Sequence, residues 1–466
     1  MKIFLFLLML LALCPSVYAQ EAGWVLTSDY STFGRVRSFT LDDPWSVSGD
    51  LATIPGDPTG RYHDGKVYIV GRGGASLIQI YDPEAGFTLV REFSIGASRN
   101  PQDIAFDSAG DAYVSCYDEA VLLRVDVADG AILDTFDTSM FADADGLPET
   151  AWMLARGDLL YIANQKLDRN NWYAPTGPGD LLVFDMVAET WVDMDSDATG
   201  IQPIVLTGAD PYTRIEAVEL GVGEWNLRVG CVGSYGVNDG GIEDVDPIAG
   251  VSLGYVVTEQ ELGGDISAFT STGDDLHVLV SDTSFITSLR RFSPASGSVT
   301  VLDTGNGYVH ADLAWDGDFQ LYLADRTVGA SGLRVFDTVS GTELTSGTLA
   351  TGLPPFKFIL PTTDGVSAVP VAYADRLRLS PPYPNPCNPA ADLQIQGQPG
   401  HLIRVGVFDL RGRRMQDRTL EIDSNGRTVF RFDGRDRQGR SLPAGVYRVV
   451  VQDQTGFAAR TLTLLK

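Results

Sequence analysis

Short apolar runs, bounded by Gly, Asp, Asn or Pro, follow one another from Trp24 to about Thr363. β-Branched and aromatic residues fill the runs. No stretch has the apolar period and caps of a helix, so the pattern predicts strands joined by tight turns. One phrase returns: an apolar strand end, an Asp, three turn residues and usually a Gly. It stands at Ile80-Tyr81-Asp82 through Gly86, Val125-Asp126 through Gly130, Phe184-Asp185 through Glu189, Phe292-Ser293 through Gly297 and Phe336-Asp337 through Gly341. The steps are 44 residues (82 to 126), 59 (126 to 185), 108 (185 to 293) and 44 (293 to 337). A second phrase keeps the same phase: Lys66–Val70, Ala112–Val114, Leu159–Ile162, Leu276–Leu279 and Leu321–Leu323. Two phrases recurring together at about 40–50 residues mark strand-built units of blade size.

Each unit reads as a four-stranded antiparallel meander, as in Asp103–Phe106, Ala112–Ser115, Val121–Asp126 and Ile132–Phe136. Six complete units fall at roughly 57–95, 100–139, 148–195, 212–258, 264–303 and 309–349. The fourth is the least regular, and its Gly233–Ala249 stretch reads as an insertion. Within it, Asn238–Asp246 reads as a solvated acidic loop, since it lacks the Gly and Glu positions of an EF-hand. Three strands are left over in Trp24–Ile54 and one in Pro355–Leu360. Three plus one make a seventh unit shared by both ends, which closes a ring and hides its edge strands. The expected fold of residues 24–363 is all-β, a seven-bladed β-propeller, with six or eight blades left open by the fourth unit.

The flanks change the picture. Lys2, the apolar run Ile3–Cys14 and the small-residue site Ser16-Val17-Tyr18-Ala19 read as a secretory signal over 1–19, and the apolar run is too short to span a bilayer. No other segment is long and apolar enough to be a transmembrane helix. Residues 364–378 read as a linker and 379–466 as a compact β-sandwich, with strand alternation clear in Val405–Phe408 and Tyr447–Val451. The whole chain carries a formal charge of −27, yet its last 88 residues hold 13 basic and 8 acidic side chains. Two modules with different surfaces follow. The acidic main body repels nucleic acid and permits a divalent cation such as calcium. Of four cysteines, Cys14 leaves with the signal, and no CxxC pair exists among Cys116, Cys231 and Cys387. A Cys116–Cys231 bridge is one reading; small buried thiols are the favoured one.

The C-terminal residues carry a resemblance. Tyr383-Pro384-Asn385-Pro386-Cys387-Asn388-Pro389 is similar to the YPNPFNP signature of type A sorting domains of the type IX secretion system. Val407-Phe408-Asp409-Leu410-Arg411-Gly412-Arg413 resembles that family's V-Y-D-x-x-G-R turn. The run from Phe432-Asp433-Gly434-Arg435-Asp436 through Gly439 to Gly445-Val446-Tyr447 resembles its W-D-G-R-D…G…A-G-V-Y turn, which also occurs in the immunoglobulin-like domain of flagellar hook-capping proteins. Cys387 stands where the family has Phe, and Phe432 where it has Trp. The resemblance implies an immunoglobulin-like sandwich, a secretion machinery as partner, and a bacterial protein delivered to the cell surface or beyond. The main body resembles, in blade rhythm alone, propellers with YVTN- and NHL-type repeats and the gluconolactonase-like group.

Chemistry is sparse. An acid recurs at the first strand of several units: Asp103, Glu216, Asp265 and Asp312, with Glu149 nearby. First strands line a propeller's channel, so these carboxylates are candidate ligands for calcium or another hard cation at one mouth, with His310 as a candidate base. Favoured over that is a turn-capping role for each acid inside its own blade. The loop Asn170-Asn171-Trp172-Tyr173 offers aromatics to a glycan or protein ligand, or packs on its own blade. Four His, no GxSxG and no HExxH leave little for peptide or ester hydrolysis. The expected function is an exported recognition or scaffold propeller; the alternative is a metal-dependent propeller hydrolase of lactonase type.

Overall fold

The apolar second strands alternate between two neighbours, and that alternation builds the ring. A computed structural model describes residues 22–221, 224–361, 377–380, 382–397, 399–409, 413–423, 426–452 and 457–465. The expected signal, most of the expected linker and Gly412 lie outside these residues. In Lys66–Gly71, Val67 and Ile69 enter one core while Tyr68 and Val70 enter the next. Leu160 and Ile162 likewise face one way, and Tyr161 and Ala163 the other. Successive side chains of a strand point to opposite faces, so a strand buried on both sides must be apolar throughout.

The first blade is Pro58–His63, Lys66–Gly71, Leu77–Asp82 and Thr88–Ser94, hydrogen-bonded in chain order. The second, fifth and sixth begin with inner strands Pro101–Phe106, Asp265–Thr272 and His310–Trp315 and repeat that antiparallel order. The third begins at Thr150–Arg156 and carries a short extra strand, Ile204–Val205. The fourth begins at Glu216–Gly221. The closing blade joins Ala22–Thr27, Phe33–Thr40 and Ala52–Pro55 to the inner strand Pro355–Ile359, with Trp24 opposite Ile359 and Val25 opposite Phe358. These are seven sheets of the propeller kind among the described residues. Seven apolar cores join each blade to the next, including closing to first around Trp24 and Ile69, and sixth to closing around Tyr322 and Phe358.

The recurring Asp makes the turn after the third strand. Asp82 Oδ1 accepts the Glu84 and Ala85 amides, Asp185 Oδ1 those of Val187 and Ala188, and Asp337 Oδ1 those of Val339 and Ser340. The fourth blade corrects the sequence reading. The supposed insertion contains its third strand, Gly241–Asp246, which ends in the same phrase: Asp246 Oδ1 accepts the Ile248 and Ala249 amides. The charges are accommodated there because buried Glu243 accepts the Thr207 and Gly208 amides, and Asp244 is bidentate to Arg228. Asn238–Asp246 is thus largely strand rather than solvated loop.

The C-terminal strands form a separate sandwich. Arg378–Leu379, Ala391–Gln396 and Arg427–Phe432 make one sheet; Arg414–Glu421, Leu402–Asp409, Gly445–Gln452 and Phe457–Leu464 make the other. Leu393, Val405, Phe430, Phe432, Val449 and Cys387 meet in its core. The Pro-rich entry is pinned to the last strand: Asn385 Oδ1 accepts the Thr463 amide at 2.8 Å, and the Cys387 amide donates to the Thr463 carbonyl at 2.8 Å. Asp409 accepts from the Arg413 amide and Nε. Asp436 accepts the Gln438 and Arg440 amides, and Asp433 that of Arg435. Gly434 and Gly439 take the positive φ these turns require. The Tyr447 hydroxyl donates to the Pro443 carbonyl at 2.7 Å. Tyr383 pairs with Asp392 through both backbone groups. The three described cysteines are buried and unpaired.

Candidate functional site

The recurrent inner-strand acids join blades. Asp103 is completely buried, accepts Arg61 Nε at 2.9 Å and Nη2 at 2.5 Å, and reaches across to the Met153 amide at 2.8 Å. Arg61 Nη2 also donates to the Met153 carbonyl at 2.5 Å, so this cluster ties the first, second and third blades. Glu216 accepts the Ser271 amide of the fifth blade at 2.9 Å. Asp312 accepts the Phe358 amide of the closing blade at 2.9 Å and lies 3.2 Å from Lys357 Nζ. Asp265 accepts the Gly236 amide at 2.7 Å. Glu149 accepts Arg169 Nε and the Leu167 amide, and burial pushes it up to about 7 against the pull of Arg169.

These five carboxylates do not form one ligand set. Among the described residues, the groups close enough to share an ion are Asp143, Asp145 and Glu149, whose ligand atoms lie within 4.8 Å of one another. Those oxygens already accept from Thr176 Oγ1, the Arg169 amide and Arg169 Nε. His310 is buried with Nε2 3.1 Å from Asp303, which Arg334 also holds. Burial opposes the Asp303 charge, but those two partners keep it well below the usual carboxylate range.

What the ring does assemble is a cationic cavity. At the end of the channel where the inner strands begin, a cavity of about 160 Å³ is lined by Arg72, Arg214, Arg326, Lys357, Trp152 and Tyr212, among others. Arg214 Cζ and Lys357 Nζ lie 5.2 and 5.5 Å from the Trp152 ring centre, within cation–π range. Arg214 Nη2 donates to the Phe358 carbonyl at 3.2 Å, while its buried Nε has no hydrogen-bond partner among the described residues. Burial pushes the Lys357 ammonium down and Arg214 and Arg72 push it further; Asp312 pulls it back. Arg72 is held by Asp57 and Gln102 Oε1. Arg326 is held by the Tyr308 carbonyl and Tyr30 hydroxyl, its guanidinium over both rings.

Exposed aromatics crowd the same end. In an antiparallel meander, the loops from second to third strand and those from one blade to the next emerge on one face. That face carries Tyr30, Tyr212, Tyr235, Phe285 and Tyr308, each between 42% and 59% exposed. Tyr235 and Phe285 stack at 6.3 Å. Trp172, in the third blade's corresponding loop, is 96% exposed; it does not pack over its blade.

Sequence reasoning missed the cations because each comes from a different blade. One signal existed in the repeat phase. Arg72 and Arg326 both stand one residue past the second strand, after Gly71 and Asp325.

A scan against known protein families finds no match, and a search of curated proteins finds none. Among solved structures, the chain is similar to PorZ, described as an essential bacterial surface component of the type IX secretion system of Porphyromonas gingivalis, at 14% identity and TM-score 0.44. That match covers 94% of this chain, which spans 64% of the length of PorZ. It is also similar to a functionally unknown protein from Desulfotomaculum acetoxidans, at 14% identity and TM-score 0.47, covering 73% of this chain and 98% of the other. A third likeness is to the dihydro-heme d1 dehydrogenase NirN, at 16% identity and TM-score 0.46, covering 74% and 76%.

Proposed function

We propose that this chain is an exported recognition propeller, with its ligand taken up at the cationic channel mouth and its C-terminal sandwich serving as an export address. The observation that carries the recognition half is the gathering of Arg72, Arg214, Arg326 and Lys357 around one cavity in a chain of net charge −27. Folding alone gives no reason to bring like charges together, and the repulsion is offset only in part by Asp312 and Asp57. A ligand of opposite charge removes that cost. The address half rests on the sorting-domain resemblance of residues 383–447, whose Asn, Asp and Gly positions hold turns and strand contacts in the sandwich. Among the described residues no helix is long and apolar enough to cross a membrane. The hydrolase alternative is not taken up, because among the described residues no three of the five carboxylates it needs lie close enough to share an ion.

Delivery tests the address. In a host with the type IX machinery, cell fractionation should find the full chain at the surface or in the medium and a chain lacking residues 379–466 retained inside. Equal surface delivery of both overturns the address. For recognition, small anionic probes should raise the melting temperature of the propeller and neutral ones should not. Equal response to both overturns that half.

A further inference from the structure

We infer that the channel mouth is a subsite for one saccharide ring bearing an anionic substituent, held between Arg214 and Lys357 and against Trp152, with the rest of the glycan lying over the exposed aromatics. This rests on the recognition reading above and adds the ligand class. Size comes first. About 160 Å³ is generous for an inorganic anion and close to what a single six-membered ring fills. Lining chemistry comes second. A purely apolar ring is poorly served, because the wall carries the polar side chains of Gln102, Gln165 and Ser267 as well as four cations. A sugar's hydroxyls use amide donors and acceptors, and its anionic group uses guanidinium and ammonium donors.

Two residues of the wall carry polar atoms that the protein leaves unpaired behind it. The Arg214 Nε donor and the His310 Nδ1 are both buried without hydrogen-bond partners among the described residues. Such groups carry a desolvation cost. The rim argues for a glycan rather than a free small acid. Tyr212 and Tyr308 line the cavity and remain 46% and 42% exposed, and Tyr30, Tyr235 and Phe285 continue on the same face. Amphipathic rings of this kind offer flat apolar faces to a sugar with little loss of side-chain entropy. The body's acidity adds a constraint: a polyanion lying across the propeller meets like charge. The mouth therefore suits the end of an acidic glycan rather than its middle.

The test is calorimetric titration of the purified chain in low salt with trigalacturonate, neutral galactotriose, inorganic sulfate and an acetylated tripeptide with a free carboxylate. Trigalacturonate should bind at least tenfold more tightly than each of the others. Arg214→Gln and Arg326→Gln should each weaken it at least tenfold, with melting temperatures confirming that both variants fold. If Arg214→Gln does not fold, Arg326→Gln and Tyr308→Ala decide at the rim. No trigalacturonate binding overturns the inference, as does binding that the mouth variants leave unchanged. Equal binding of sulfate makes the site a simple anion site and overturns the saccharide. Tighter binding of the peptide, lost in the same variants, overturns the saccharide but leaves the recognition propeller standing. No probe binding at all removes both.

Discussion

Replacing Asp103 by Ala should destabilise the propeller without touching its ligand chemistry. The carboxylate has no solvent exposure and accepts four hydrogen bonds: two from Arg61, one from the Met153 amide and one from the Ile104 amide. The Arg61 side chain is only 11% exposed, so loss of Asp103 takes away the carboxylate that this buried cation faces. Breaking such a pair from one side costs about 3–5 kcal/mol, and the orphaned Met153 amide accounts for roughly 1–3 of that. With a urea slope of about 3 kcal/mol/M or somewhat more for a domain of this size, the midpoint should fall by about 1 M. Fluorescence and circular dichroism in urea measure it, and coincident transitions license the free energy. Asp103→Asn keeps an acceptor for Met153 and should cost roughly half as much. The pair Arg61→Met with Asp103→Leu should recover most of the loss, since replacing both charges removes the stranded one. A cost below about 1 kcal/mol refutes the blade-joining role. So does a calcium-induced rise in wild-type melting temperature that Asp103→Ala abolishes, because Asp103 would then be a metal ligand.

Burial pushes Glu259 up to about 8 even though it accepts the Ile266 and Gly240 amides. Its folded pKa is raised, so its contribution is fully present below about 4.5 and is lost as pH rises to 8, at up to about 1.4 kcal/mol per pH unit. Urea midpoints at pH 5 and pH 8.5 should therefore differ less for Glu259→Gln than for wild type; an equal difference removes Glu259 as the cause. Phe358→Ala should cost about 3–5 kcal/mol and expose the three N-terminal strands to limited proteolysis, because Phe358 packs against Phe39 and Tyr322 on the strand that closes the ring. Proteolysis beginning elsewhere argues against closure by this strand. Burial raises the thiols of Cys116, to about 12, Cys231 and Cys387, so native protein should resist a thiol reagent at pH 8 while all three react in denaturant; rapid native labelling contradicts their burial.

The blades were legible because their constraint is local. A strand buried on both faces writes a continuous apolar run, and an Asp that caps its own turn writes a fixed spacing. The fourth blade failed for a physical reason. Glu243 and Asp244 sit in mid-strand, where charge normally argues against a strand, and only Thr207, Gly208 and Arg228 make them tolerable. Those partners are 16 to 36 residues away along the chain, and Cys231, whose thiol also donates to Glu243, is 12 away. The acids of the first strands were visible as a recurrence but not as joints, because what each accepts is a backbone amide of an adjacent blade, and backbone leaves no mark in sequence. The mouth was least legible: Arg72 and Lys357 lie at opposite ends of the propeller's chain and meet only because the ring closes.

Acids and cations thus divide the channel between two tasks, and Lys357 stands where the tasks meet. Asp103, Glu216 and Asp312 spend their lone pairs on neighbouring blades, so removing one costs stability. Arg326 rests on exposed tyrosines at the rim, so removing it should cost little stability. Lys357 is bound to the joint through Asp312 at 3.2 Å and faces the cavity beside Trp152. An anion in the mouth replaces solvation the ammonium has lost, and so opposes the burial that pushes its pKa down. Asp312 in turn accepts the Phe358 amide, so the cavity wall and the seam at which the two ends of the propeller meet share Lys357 and Asp312.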